Sequence, residues 1–267
     1  MLPKNKMLYY DHFCTIGSTH AICEDYIIQG NVPTPFIVLS DGCSSSDDSD
    51  IGSKILSLTT KQILESSGKW PLEYLEFGNL LIDNSLEIIA KLGLPEEVLD
   101  ATVMLAFLEQ DEIVVYVYGD GCLLTKEHSG EINTIEIEFT HNAPYYLTYW
   151  REDEHLSQYA IYDPKPLILK DFKHGKSSLK PFETQLIFHF PLQKFKYIAI
   201  ASDGASQCLN IHQQHKIPLQ QLANDLFEFQ DLTNNFVKLK TKKILQQYAQ
   251  QSIYPVDDLS IGVFANV

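Results

Sequence analysis

Four aspartates in this chain stand where a run of apolar residues meets a loop. The segments are Leu39-Ser40-Asp41-Gly42, Tyr118-Gly119-Asp120-Gly121, Ala201-Ser202-Asp203-Gly204 and Val256-Asp257-Asp258-Leu259. Carboxylates held at the ends of buried strands repel one another unless a cation compensates their charge. Oxygen ligands of this kind suit hard cations such as Mg²⁺ and Mn²⁺. The repetition therefore predicts a metal cluster, although a plain turn explains any single Asp-Gly pair.

The elements that must position these aspartates are mostly short, β-rich runs. Residues 36–39 and 197–201 are predicted to be buried strands that end at Asp41 and Asp203, and residues 259–264 are predicted to be a strand that starts after Asp257. Two hairpins are also predicted, one formed by residues 101–107 and 113–118 and one within residues 123–139 through Ser129 and Gly130.

Helices are predicted between these groups of strands. The first begins near Asp50 as its N-cap and has Ile51, Ile55 and Leu58 on one face. The second fits the spacing of Leu75, Ile82, Leu86 and Ile89 and ends at Gly93 and Pro95. Two more are predicted over residues 219–229 and 233–250, whereas residues 142–180 are aromatic, charged and irregular. The order favours a largely antiparallel, layered α+β architecture over a doubly wound sheet. No repeat or linker divides the chain, so one domain over residues 1–267 is expected.

The charge balance excludes some partners. Lys and Arg number 20 against 35 Asp and Glu, which gives a formal net charge of -15. Such a surface repels nucleic-acid phosphates and anionic lipid, so neither nucleic acid nor a membrane is an expected partner. No segment approaches the length of apolar residues that a membrane span requires, and residues 1–10 lack the apolar run of a signal peptide.

The five cysteines are scattered and form no Cys-x-x-Cys pair. This pattern argues against a disulfide framework and against a zinc site, and the reducing cytoplasm is the expected location. Cys43 follows the first metal motif, but no arginine accompanies it in Ser44-Ser45-Ser46, as a cysteine-dependent phosphatase would need. We therefore expect Cys43 to be a small buried side chain.

Five short motifs occur in a definite order along nearly the whole chain. They are Glu24-Asp25, Ser40-Asp41-Gly42, Asp100-Ala101-Thr102 followed by Gly119-Asp120, Ser202-Asp203-Gly204, and Asp257-Asp258-Leu259-Ser260. In order and spacing they resemble the type 2C, or PPM, family of metal-dependent protein serine/threonine phosphatases. The resemblance implies a four-layer α/β/β/α sandwich in which helices flank two mainly antiparallel sheets.

The resemblance also implies a role for each matching residue. Asp41 would bridge two Mn²⁺ or Mg²⁺ ions, with the Gly42 carbonyl on one ion and Asp203 and Asp257 on the other. Glu24 and Asp25 would hold metal-bound waters or complete the coordination shell. Asp120 matches a position that helps to bind a third, weaker ion in some relatives. Asp41, Asp203 and Asp257 would thus be both catalytic residues and metal ligands.

The chain departs from the family at its substrate rim. Cys43 to Asp48 replace the usual His-Gly-Gly after Asp41-Gly42, and Gly121-Cys122 replace Ser-Arg after Gly119-Asp120. His20 stands four residues before Glu24, where many members have an arginine that grips the phosphate. A protonated imidazole can donate to phosphate, although less strongly than arginine, so His20 is a candidate catalytic residue and a structural histidine is the alternative.

The implied reaction is hydrolysis of phosphoserine or phosphothreonine in a phosphoprotein by a water shared between two divalent cations. The general acid, the physiological substrate and the oligomeric state are not assigned. Two alternatives stay open: a non-catalytic pseudophosphatase that binds a phosphoprotein or regulatory partner, and a hydrolase of small phosphate esters. The altered position 20 favours the pseudophosphatase, whereas retention of the core aspartates favours an enzyme.

Overall fold

The computed structural model describes residues 7–66, 70–151, 157, 161, 163–233 and 235–267. Within these residues the strands are β1 (Leu8–Thr15), β2 (Asp25–Gly30), β3 (Phe36–Gly42), β4 (Ala101–Glu109), β5 (Glu112–Tyr118), β6 (Gly121–Glu127), β7 (Ile132–Phe139), β8 (Leu167–Asp171), β9 (Lys176–Lys180), β10 (Leu186–Pro191), β11 (Phe195–Ala201), β12 (Cys208–Asn210), β13 (His215–Lys216), β14 (Ile253–Pro255) and β15 (Leu259–Asn266). The α-helices are α1 (Ser49–Ser66), α2 (Tyr74–Leu92), α3 (Leu219–Leu226) and α4 (Phe236–Ala249).

Two antiparallel sheets form the centre of the molecule. One has seven strands in the order β1-β15-β11-β6-β7-β8-β9, and the other has five in the order β10-β5-β4-β3-β2. Three further strands form a small separate sheet in the order β13-β12-β14. The described strand pairs in all three sheets are antiparallel, which confirms the expectation of an antiparallel architecture.

The layers follow from the alternation of side chains along each strand. Val38 of β3 packs into a cluster with α1 and α2, whereas the next residue, Leu39, packs with Ile200 of β11 between the two large sheets. Val263 of β15 points the other way, into a cluster with α3 and α4. The order of layers is thus helices, five-stranded sheet, seven-stranded sheet, helices. The predicted α+β, four-layer α/β/β/α sandwich is confirmed.

Both predicted hairpins are present, as β4–β5 and β6–β7, and α2 ends at Gly93, whose φ of 72° is the left-handed conformation typical of glycine after a helix. The predicted helix starts were less accurate. Helix α1 begins at Ser49, so Asp50 lies in its first turn rather than at the N-cap. Leu58 and Leu75, which fit the apolar spacing of the two helices, are 51% and 48% exposed, so neither faces the core fully.

Residues 142–180 are more regular than expected. They contribute β8 and β9, which extend one edge of the seven-stranded sheet. Most residues of β9 are exposed, so the strand lacks the apolar alternation by which a half-buried strand is recognised. The parts of this stretch at 152–156, 158–160 and 162, together with residues 1–6 and residue 234 of the predicted last helix, lie outside the described residues.

None of the described helices combines the length and the apolar character needed to cross a bilayer.

Candidate metal centre

Strand pairing fixes the first part of the site. Asp41 lies near the end of β3, directly opposite Asp25 of β2 on one side and Thr102 of β4 on the other. The backbone N–H of Gly42 donates to the carbonyl oxygen of Glu24 over 3.2 Å. The Glu24-Asp25 motif and the Asp41-Gly42 motif are therefore held side by side by main-chain hydrogen bonds.

Asp203 and Asp257 come from two neighbouring strands of the other large sheet. Asp203 follows β11, Asp257 precedes β15, and the two strands pair at Ala201 and Ile261. The amide Nε2 of Gln207 donates to Oδ2 of Asp203 over 2.7 Å and to Oδ2 of Asp257 over 3.0 Å. One amide group thus links the two carboxylates.

The two sheets bring these aspartates to one cleft of about 250 Å³. Its lining consists of Asp41, Gly42, Cys43, Ser44, Ser45, Thr102, Asp120, Asn142, Pro144, Tyr146, Asp203 and Asp257. All four aspartates that the sequence places beside apolar runs are among these lining residues. Glu24, Asp25 and His20 are not among these lining residues.

The carboxylates that line the cleft repel one another, because they carry charge of the same sign. Burial raises the pKa of Asp41, and the charges of Asp25, Asp203, Asp120 and Asp257 raise it further. Burial and the charge of Asp257 raise the pKa of Asp203 to about 6, against smaller opposing effects of Gln207, Asp41 and Lys216.

Asp120 behaves in the same way, because burial and then the charge of Asp203 raise its pKa. The described residues that line the cleft include no lysine or arginine that could neutralise these carboxylates. Oxygen ligands in such an arrangement fit a divalent cation, which would replace repulsion by attraction.

Asp25 is more deeply buried, with an exposed fraction of 4%. Its Oδ2 accepts a hydrogen bond of 2.9 Å from the Oγ of Ser202, while its Oδ1 has no hydrogen-bond partner among the described residues. Burial raises the pKa of this carboxyl group. An unpartnered, buried carboxylate oxygen next to the cleft is the arrangement expected of a group that completes its contacts through water.

His20 and Glu24 form a second cluster with Asp258. Ligand atoms of these three side chains lie within 4.8 Å of one another. His20 Nδ1 lies 3.2 Å from Asp258 Oδ2 and 3.7 Å from Glu24 Oε2, and its Nε2 lies 3.3 Å from Asp257 Oδ1. Burial alone would lower the pKa of His20, but the hydrogen bond and charge of Asp258, then Asp257 and Glu24, give a net increase.

Two residues of the site have no role in the sequence-based prediction. Asp258 is 2% exposed and accepts backbone hydrogen bonds from Gly17 over 2.7 Å and from Glu24 over 2.6 Å. Its signal in the sequence is a second carboxylate directly after Asp257. Gln207 carries no comparable signal, because only the fold reveals that it reaches both Asp203 and Asp257.

Cys43 differs from its prediction. The side chain is half-buried and lines the cleft, with its sulfur 3.0 Å from the Oγ of Ser45. Burial raises the pKa of the Cys43 thiol, but hydrogen bonds with Ser45, Tyr146 and Ser46 outweigh burial, so the net pKa is lowered. The expectation of a small, buried cysteine was therefore wrong, because the loop after β3 opens towards solvent.

Several proteins resemble this chain in fold. The serine/threonine phosphatase Stp1 from Staphylococcus aureus aligns with a TM-score of 0.60 at 14% identity, over 98% of this chain and 95% of that one. The S. agalactiae serine/threonine phosphatase aligns with a TM-score of 0.60 at 16% identity, over 97% and 99%. The catalytic domain of the serine/threonine protein phosphatase PstP, in complex with two manganese ions, gives 0.56 at 12% identity, over 98% and 100%.

Because the sequence identities to these three structures are low, their structural similarity establishes only the fold of this chain. Sequence comparison with curated proteins gives no match. The family profile described as "Protein phosphatase 2C" matches residues 17–245, which is most of the chain. With the fold and the profile in agreement, the chain belongs to the protein phosphatase 2C family.

Proposed function

We propose that this chain, as one catalytic domain over residues 1–267, hydrolyses phosphoserine and phosphothreonine in proteins with the help of two divalent cations, Mn²⁺ or Mg²⁺. One observation carries the proposal: Asp41, Asp120, Asp203 and Asp257 line a single cleft whose described lining has no lysine or arginine. Burial and mutual repulsion raise the pKa of Asp41, Asp120 and Asp203, so the site favours binding of a cation.

Each ligand has its own part in holding the cations. Asp41 would contact both, Gly42 would offer its carbonyl oxygen to one, and Asp203 and Asp257 would hold the other. Glu24 and Asp25 would act through water, since neither is among the residues that line the cleft. Asp120 would contribute to a third, weaker site.

When bound, the cations would acidify a water molecule and neutralise charge on the phosphate. The other steps belong to side chains. Gln207 orients Asp203 and Asp257 through its amide Nε2. Asp258 orients His20 through Nδ1, so that the opposite ring nitrogen, Nε2, lies beside Asp257 and can donate to a phosphate oxygen.

The phosphorylated group would come from a protein, because the fold is shared with structures described as serine/threonine phosphatases. The rim of the cleft, Cys43 to Ser45 with Asn142, Pro144 and Tyr146, would contact the substrate around the phosphate. The five free cysteines favour a cytoplasmic location.

Phosphate release from a panel of phosphoserine and phosphothreonine peptides tests the proposal. Turnover should require Mn²⁺ or Mg²⁺, stop with chelator, and fall by more than about 100-fold in Asp203→Asn, since even neighbours of metal ligands cost 10- to 100-fold. Asp231→Asn, an exposed aspartate outside the cleft lining, is the matched control and should retain activity.

The same assay separates the alternatives. Folded protein that binds Mn²⁺ but turns over none of the peptides would support the pseudophosphatase instead. Competition between phosphopeptides and small phosphate esters distinguishes a protein phosphatase from a small-ester hydrolase, because a protein phosphatase should turn over the peptides preferentially.

A further inference from the structure

Cys14 and Cys23 form a pair of thiols next to the backbone of Asp25. Cys14 lies on β1 and Cys23 lies just before β2, and their sulfur atoms are 3.4 Å apart. Both side chains are half-buried. Among the described residues, no third side chain brings a ligand atom within 4.8 Å of both sulfurs, so the pair does not form a metal site. Two thiols at this separation can instead become a disulfide.

One of the two thiols is open to a small oxidant. Cys14 lines a cleft of about 310 Å³ whose other lining residues include Asp11, Asp25 and Lys238, whereas Cys23 does not line it. Cys14 is therefore the member of the pair that a small oxidant can reach from this cleft, and it reacts in its thiolate form.

We propose that Cys14 and Cys23 are a redox modification site, which a hydroperoxide converts to a reversible disulfide. The Cys14 thiolate attacks the peroxide O–O bond, taking one oxygen as sulfenic acid and, for hydrogen peroxide, releasing hydroxide, which a proton converts to water. The Cys23 sulfur then attacks Cys14, an S–S bond forms, and the second oxygen leaves as water. Two thiols lose two electrons in total, and the peroxide gains them.

The disulfide would act on the metal centre through Glu24, which follows Cys23 directly. The Glu24 N–H donates to Asp258 over 2.6 Å, and its carbonyl oxygen accepts from the Gly42 N–H over 3.2 Å. Oxidation must bring the sulfurs from 3.4 Å to about 2.0 Å. Because Cys23 and Glu24 share a peptide bond, part of this movement reaches both contacts. This second step rests on the proposed function, since it assumes that the centre binds cations.

Thiol mapping tests the modification itself. The full chain is treated with hydrogen peroxide, alkylated and digested without reductant, and the peptides are identified by mass spectrometry. We expect the protein to lose two of its five thiols, with Cys14 linked to Cys23, and to regain both with dithiothreitol. Cys43→Ser should form the same link. In Cys14→Ser and in Cys23→Ser, the remaining cysteine of the pair should stay a thiol or be oxidised to a higher oxide of sulfur. A different linkage, or irreversible oxidation of Cys14 in the unaltered chain, would overturn the proposal.

Calorimetric titration with Mn²⁺ tests the second step. Oxidised protein should bind Mn²⁺ about tenfold more weakly than reduced protein, the low end of the effect of disturbing a neighbour of a metal ligand. Cys23→Ala and Cys14→Ala should bind equally with and without prior oxidation. Equal affinities in the unaltered chain would overturn the link to the metal. Reduced protein that binds no Mn²⁺ would contradict the proposed function and the link together, while thiol mapping still decides whether the disulfide forms.

Discussion

The Nδ1 atom of His20 lies 3.2 Å from Oδ2 of Asp258. Asp258 is almost completely buried, and its two carboxylate oxygens already accept backbone hydrogen bonds from Gly17 and Glu24. A single aspartate therefore shapes the loop that carries His20 and also supplies the charge that faces its ring. His20, which replaces the arginine of the resembling family, and Asp258 are therefore best understood as one pair.

The substitution Asp258→Asn should lower the pKa of His20 in metal-free protein, because it removes the charge that outweighs the effect of burial. It should also lower the free energy of unfolding by about 1–3 kcal/mol, since an amide has only one oxygen for two buried backbone donors. NMR titration of His20 and urea denaturation measure the two effects. Asp231→Asn, an exposed residue outside the cleft lining, should leave the pKa of His20 unchanged.

Because the pKa of His20 is raised on folding, His20 stabilises the folded protein more at low pH than at high pH. Its contribution to stability is fully present below the unfolded value of 6.5 and is lost as the pH rises through the higher folded value. Asp258→Asn should reduce this loss of stability with rising pH. A pKa of His20 that is unchanged in Asp258→Asn would contradict the assignment of Asp258 as its charge partner.

Metal-free protein should become less stable as the pH rises from the ordinary value of Asp203 to its folded value. The pKa of Asp203 is raised from 3.8 to about 6, chiefly by burial, so between these values the folded state binds more protons than the unfolded chain. The free energy of unfolding then falls as the pH rises. The pKa values of Asp25, Asp41 and Asp120 are shifted in the same direction.

Urea denaturation at a series of pH values, with chelator and with Mn²⁺, measures this dependence. Mn²⁺ should stabilise the protein most at neutral pH, by about 3 kcal/mol at a hundredfold excess over its dissociation constant, because cations bind the deprotonated carboxylates. Asp203→Asn should flatten the slope in chelator. Stability that rises through this range in chelator would show that the aspartates do not repel one another as the structure indicates.

Replacing Gln207 by leucine should destabilise the metal-free protein by about 2 kcal/mol, because two carboxylates lose a hydrogen bond from the amide. The loss should be smaller in Mn²⁺, since a bound cation supplies the positive partner that the amide otherwise provides. Denaturation in chelator and in Mn²⁺ compares the two. Gln246→Leu, on the exposed face of α4, is the control, and an equal loss in both conditions would mean that Gln207 contributes only to packing.

Gly204→Ala should disrupt both stability and Mn²⁺ binding. A Cβ at Gly204 would overlap the carbonyl oxygen of Asp258, and overpacking of this kind costs about 1–3 kcal/mol. Gly175→Ala is a matched control, because that glycine has open space around it. Its expected destabilisation of about 1 kcal/mol comes only from placing alanine at a positive φ of 57°. Denaturation and Mn²⁺ calorimetry compare the variants. Unchanged Mn²⁺ affinity in Gly204→Ala would show that the Asp258 backbone can move without consequence for the site.

The sequence allowed the strands beside the aspartates to be predicted because their apolar runs are buried on both faces. Residues 36–39 and 197–201 lie within β3 and β11, and the hairpins around them follow from local turn chemistry. Strand β9 gave no such signal, since most of its residues face solvent. The exposed positions of Leu58 and Leu75 show that helical spacing identifies a helix more reliably than the orientation of its faces.

The same contrast applies to the site. The sequence allowed us to anticipate that four aspartates share one cleft, because each stands where an apolar run meets a loop. They are Asp41, Asp120, Asp203 and Asp257. Gln207 and Asp258 could not be assigned roles, because their contacts depend on how β11 and β15 approach each other and the loop that carries His20. The pairing of Cys14 with Cys23 depends likewise on the distance between two segments that the sequence does not give.

Strand β15 lies between β1 and β11 in the seven-stranded sheet and is the last of the described strands in order of synthesis. While a ribosome is still translating α4, the seven-stranded sheet therefore lacks β15, one of its inner strands. Asp257 and Asp258 are also still missing at that moment, so the Gly17–Glu24 loop has no carboxylate to fold around. The cleft can mature only after translation has passed residue 266, and truncated products would retain most of the chain without a formed centre.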